Sequence, residues 1–144
     1  MDRQLKRIYL ALLLPSAVGF ALVSGAKMLG FFDMPAFRLP ALVPQLVFIF
    51  SVLFAVALPT LYRSYFAHKQ RNRTRVSVKE LATMEARTIV LVMAAPYLAL
   101  LAYGLNLPRF HLCGTILMGL YALYYFYPSR KRLTFQKRLY RVKA

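Results

Sequence analysis

Acidic residues are what this chain most lacks: Asp2, Asp33, Glu80 and Glu85 are the only four among 144 residues. They stand apart from one another, so the clustered carboxylates by which membrane phosphotransferases hold a metal and a phosphate are missing. Cysteine is nearly absent too, and a lone thiol at Cys113 excludes an internal disulfide. The two histidines, His68 and His111, have no second nitrogen or sulfur ligand at metal-binding spacing and belong to no nucleophile and base motif. No catalytic residue, metal site or cofactor is expected, and the chain reads as a non-enzyme.

What is present is apolar and basic. The chain is 60% hydrophobic and 15% aromatic, with 20 Lys and Arg residues, which is an apolar share well above that of a soluble globule. Four runs without Lys, Arg, Asp or Glu cover 8–26, 41–62, 88–105 and 110–127. About 20 helical residues cross a hydrocarbon core of roughly 30 Å, so each run is long enough to span. The expected fold is all-α, an integral membrane four-helix bundle of two antiparallel transmembrane hairpins, with residues 1–128 as one four-span domain and 129–144 as a basic cytoplasmic tail. The opening MDRQLKR resembles the basic start of a secretory signal, and Ser24-Gly25-Ala26 has the look of a cleavage site. The apolar run between them exceeds the usual signal core of about 7 to 15 residues, so retention as a true helix is expected.

Orientation follows from the distribution of positive charge, because Lys and Arg accumulate on the cytoplasmic side of a membrane protein. Arg3, Lys6 and Arg7 precede the first run, seven basic residues lie between Arg63 and Arg87, and seven more between Arg130 and Lys143. That places 17 on one side against Lys27, Arg38 and Arg109 on the other. Both termini are therefore predicted to be cytoplasmic, N-in and C-in, in a multi-pass protein of a bacterial cytoplasmic (inner) membrane.

In lipid, helices associate through close packing of small residues. Four-residue spacing marks Ala17, Ala21 and Gly25 in the first span, Ser51 and Ala55 in the second, Ala95 and Ala99 in the third, and Thr115 and Gly119 in the fourth. Pro15 and Pro96 fall inside their spans and are expected to kink them. Leu39-Pro40 and Leu107-Pro108 open the returning helix of each hairpin, and Pro59-Thr60 and Pro128-Ser129 close it. This faint likeness between the hairpins is accounted for by prolines marking helix ends. Ser77, with Glu80 three residues on, has the pattern of a capping box, which predicts that the third helix starts near Val78 and projects beyond its apolar run.

Function is read largely by exclusion. Ion-coupled transporters commonly carry an ionisable side chain within the membrane, and these runs contain no acid, lysine or arginine. The basic residues Arg71, Arg73 and Arg75 of the central loop, with Arg130, Lys131, Arg132, Lys137, Arg138 and Arg141 of the tail, suit contact with anionic headgroups or an acidic partner. Positive-inside topology already explains this charge, so nucleic acid is not an expected partner. The reading is a non-enzymatic membrane component working through helix contacts and a basic cytoplasmic surface, with a protein partner or homo-oligomer open. The alternatives are an oligomeric small channel, transporter or lipid-handling protein and, third, a membrane-embedded lipid enzyme.

Overall fold

The computed structural model describes residues 2–31, 40–71 and 76–140. Of the described residues 86% are helical, and no strand occurs among them. Helix α1 is Asp2–Met28, α2 is Leu42–Gln70 and α3 is Val78–Gly104. These three are long and apolar enough to cross a membrane. A fourth, α4, is Arg109–Tyr125 and is followed after a 72° bend by α5, Arg130–Leu139, so the spans number three, or four if the bent pair counts as one.

Helix α3 is the centre of the bundle. Of its apolar window 44% is buried, against 28% for α2 and 11% for α1, and it packs on α1, α2 and α4. Ser77 starts it: the hydroxyl accepts from the Lys79 amide at 3.3 Å while Glu80 accepts from the Ser77 amide at 3.2 Å. The two donors so satisfied are among those that any helix start leaves orphaned. The close α3–α4 turn uses Asn106 at φ 51°, a left-handed backbone that asparagine tolerates.

The pairing of elements departs from two simple hairpins. Helices α2 and α3, and α3 and α4, pack on one another as sequence neighbours, while α1 lies on α3 rather than on α2. Its packed face carries Leu5, Tyr9 and Ser16, all under 5% exposed. Leu5 and Tyr9 join Ile89, Met93 and Leu133 in one apolar cluster, and Tyr9 donates to the Leu123 carbonyl at 2.9 Å.

Pro59, read from the sequence as closing the second helix, does not end it. Helix α2 continues for two to three turns to Gln70, and the proline is accommodated by one π-helical turn at Leu53–Ala57. Proline lacks an N–H, and its ring clashes with the carbonyl four residues back, so widening the turn before it relieves the clash. Leu58 bonds back five residues to the Leu53 carbonyl. The Thr60 hydroxyl donates to the Val56 carbonyl at 2.7 Å, supplying a partner within the widened turn. Of the two expected kink positions, Pro15 lies in a helix unbroken from Asp2 to Met28. Pro96 follows an irregular residue, Met93, which interrupts the α-helical pattern of α3.

Candidate functional site

Arg63 is the first charged residue after the apolar run of α2, and Glu85 comes three residues before that of α3. Antiparallel packing of these helices brings the two to one level at the basic end of the bundle. The 72° bend after α4 then carries α5 back over the same level, started by Ser129, whose hydroxyl accepts from the Arg132 amide at 3.3 Å. Three helices thereby converge on one carboxylate.

Glu85 is 2% exposed and bonded to both arginines, Arg63 Nη2 to Oε1 at 3.3 Å and Arg132 Nη2 to Oε2 at 3.3 Å. The Gln136 side chain also donates to it. Arg132 gives a further N–H to the Tyr125 carbonyl at 2.8 Å. Both guanidinium groups lie over the Phe126 ring, at 5.0 Å for Arg63 and 5.1 Å for Arg132, an attraction between cation and ring quadrupole. Burial pushes the Glu85 carboxyl above its ordinary range, while Arg63 and the bonds from Gln136 and Arg63 pull it back. Desolvation of a charge is costly, and the two guanidinium groups are what make an ionised carboxyl tolerable here.

Two openings flank this cluster. One, of about 270 Å³, lies beside the π-helical turn and is lined by Ala55, Thr60, Arg63, Ser64, Tyr121 and Tyr125 among others. The other, of about 390 Å³, lies between the projecting ends of α2 and α3, with Tyr62, Tyr65, Phe66, Lys69 and Gln70 on one wall and Lys79, Glu80, Thr83, Met84 and Arg87 on the other. A third, apolar furrow of about 290 Å³ runs deeper in the bundle between α1, α3 and α4, with Ser16, Ala17, Phe20, Pro96, Ala99 and Gly119 on its walls.

The small residues singled out in the sequence divide sharply. A Cβ on Gly119 would stand 3.4 Å from the Ala99 Cβ and 3.5 Å from the Pro96 Cα, so α3 and α4 approach closely there, with Ala95, Ala99 and Thr115 all buried. Ala55 is buried against Ala95 and Ala122, and Ser51 is buried with no hydrogen-bond partner for its hydroxyl. The α1 stripe is different: Ala17 and Ala21 are exposed and a Cβ on Gly25 would meet nothing within 4 Å. Ser16 and Gly19 make the close approach instead, a Cβ at Gly19 falling 2.5 Å from a Leu100 methyl. Adjacent positions are rotated by about 100° on a helix, so a register chosen one residue away points elsewhere.

Among the basic residues expected to face lipid or a partner, Arg71, Arg130, Lys131 and Arg138 are exposed and Lys137 is half-buried. Arg132 is not an outward contact, because its guanidinium is spent on Glu85 and Tyr125. Arg73, Arg75 and Arg141 lie outside the described residues. Helix α5 packs through Leu133 and Gln136, leaving Phe135 65% and Leu139 61% exposed.

The sequence reading counted Arg63 in the basic end but singled out none of Arg63, Gln70 and Gln136 as a site residue. The only signal for the cluster was an acid in strong positive excess close to the start of a span; nothing marked which arginines it would take. No group of three or more His, Cys, Asp or Glu is placed to hold a metal ion among the described residues. Comparison with protein-family models, curated proteins and solved structures finds no match to this chain.

Proposed function

We propose that the chain is a non-enzymatic, multi-pass component of a bacterial inner membrane, a four-span bundle with both termini cytoplasmic, which works by contact through its basic end. The observation that carries this reading is the Glu85 cluster. The buried acid of that end is consumed in tying α2, α3 and α5 together, while Arg71, Arg130, Lys131 and Arg138 stay exposed around it. Exposed cations beside aromatic rings suit anionic headgroups or an acidic protein, each cation near such a surface contributing about 1 kcal/mol.

The topology is tested by labelling single introduced thiols in intact cells, after Cys113 is replaced by serine. A thiol at Asn106 should react with an impermeant reagent and one at Lys137 should not; the reverse pattern overturns the orientation. Contact is tested by binding of the purified chain to vesicles with and without anionic lipid at low and high salt, and by whether a partner copurifies in fixed ratio. A second reading, an oligomeric channel or transporter, draws on the apolar furrow between α1, α3 and α4. Solute flux through the pure protein in liposomes would favour it over the first.

A further inference from the structure

The cleft between the projecting ends of α2 and α3 is charged on both walls. Lys69 comes from α2, Lys79 and Arg87 from α3, and the acid that shares it, Glu80, is drawn to the Ser77 amide at the helix start. Its depth is set by the chain: Tyr62 closes the apolar run of α2, and Arg87 immediately precedes that of α3. The cleft therefore lies where apolar helix gives way to charge, which in a bilayer is the headgroup level. Tyr62, Tyr65 and Phe66 supply amphipathic rings at that level.

One polar group lining this cleft is buried and left unpaired. Gln70, the last residue of α2, is only 9% exposed, and its Oε1 has no hydrogen-bond partner. A buried acceptor left unpaired costs free energy that a ligand donor would recover. Three cations call for a phosphate, and the orphan carbonyl calls for a donor attached to it. An ammonium would answer the carbonyl but be repelled by the lysines, whereas a hydroxyl answers it without added charge.

We infer that this cleft is a binding site for an anionic phospholipid whose headgroup carries a hydroxyl, the phosphate held by Lys69, Lys79 and Arg87 and the hydroxyl donating to Gln70 Oε1. The inference rests on the basic-end reading above and narrows it from a charged surface to one built site.

The full chain in detergent micelles is titrated with phosphatidylglycerol, and bound lipid is counted by native mass spectrometry. Phosphatidylmethanol, a diester of the same charge with no headgroup hydroxyl, and soluble glycerol phosphate serve as comparators. Phosphatidylglycerol should bind saturably and more tightly than phosphatidylmethanol, and Lys69→Gln with Arg87→Gln should weaken it about tenfold or more. Gln70→Leu should lower phosphatidylglycerol to the level of phosphatidylmethanol while leaving the latter unchanged, a selective loss that misfolding does not mimic. Competition by glycerol phosphate at equal concentration overturns the lipid assignment. Binding lost in Arg130→Gln/Lys131→Gln/Arg138→Gln but intact in the cleft variants overturns the site and leaves the broader contact reading standing. No preference for anionic lipid in any variant sinks both.

Discussion

The two ends of the bundle solve the same problem differently. At the basic end a buried carboxylate gathers Arg63, Arg132 and Gln136 from two other helices, over the ring of Phe126. At the opposite end Lys27 donates to the Tyr103 carbonyl at 2.5 Å and to Asn106 Oδ1 at 2.6 Å, and lies 3.8 Å from the Tyr103 ring centre. That contact ties α1 to the α3–α4 turn without burying an acid. A buried charge makes its partners obligatory, whereas a cation near solvent can be rehydrated when its partners are lost. The basic end should therefore hold the fold tightly and the other end only tether it.

The largest expected effect breaks the first half of this contrast. Arg132→Ala or Arg63→Ala strands Glu85 with one partner and should cost about 3 to 5 kcal/mol, read as a loss of thermal stability in detergent. Gly119→Leu should come next, at about 1 to 3 kcal/mol, because a larger side chain must push α4 off Ala99 and Pro96. Lys27→Ala should cost under about 1 kcal/mol. Were it as damaging as Arg132→Ala, the two ends would not differ in kind.

The smallest effect concerns pH and refines the basic end. The folded carboxyl of Glu85 is raised, chiefly by burial, so the folded state binds its proton more readily than the unfolded chain. Its contribution to stability is then fully present below the unfolded carboxyl's pKa and is lost as pH rises through the folded value. Glu85→Gln should flatten that part of the stability curve across the acid range, and an unchanged curve would remove Glu85 as its source.

Several elements were legible in the residues. The Ser77 and Glu80 pair marked the start of α3, where the capping box forms, because a cap depends on neighbours three residues apart. Gly119 on α4 and Ala99 on α3 carried small residues where the helices now touch. The stripe at Ala17, Ala21 and Gly25 makes no close packing within the chain, since small residues on α1 occur on two faces and spacing alone does not say which faces α3. Pro59 misled: a proline that ends a helix and one absorbed by a π-helical turn read alike in sequence. The furrow, the cleft and Gln70's orphan oxygen had no signal at all.

Apolar runs and helix caps are local, so the sequence by itself determined an all-helical chain with long apolar helices and a strong excess of positive charge at one end. Which residues neutralise Glu85 was decided by the tertiary structure alone. Arg63 lies 22 positions before it and Arg132 lies 47 after, and only the packing of α2 on α3, with the bend that returns α5, brings all three to one level. The fate of Arg132 followed from the same geometry: in sequence it is one more tail cation, and in space it is the one turned inward to the acid.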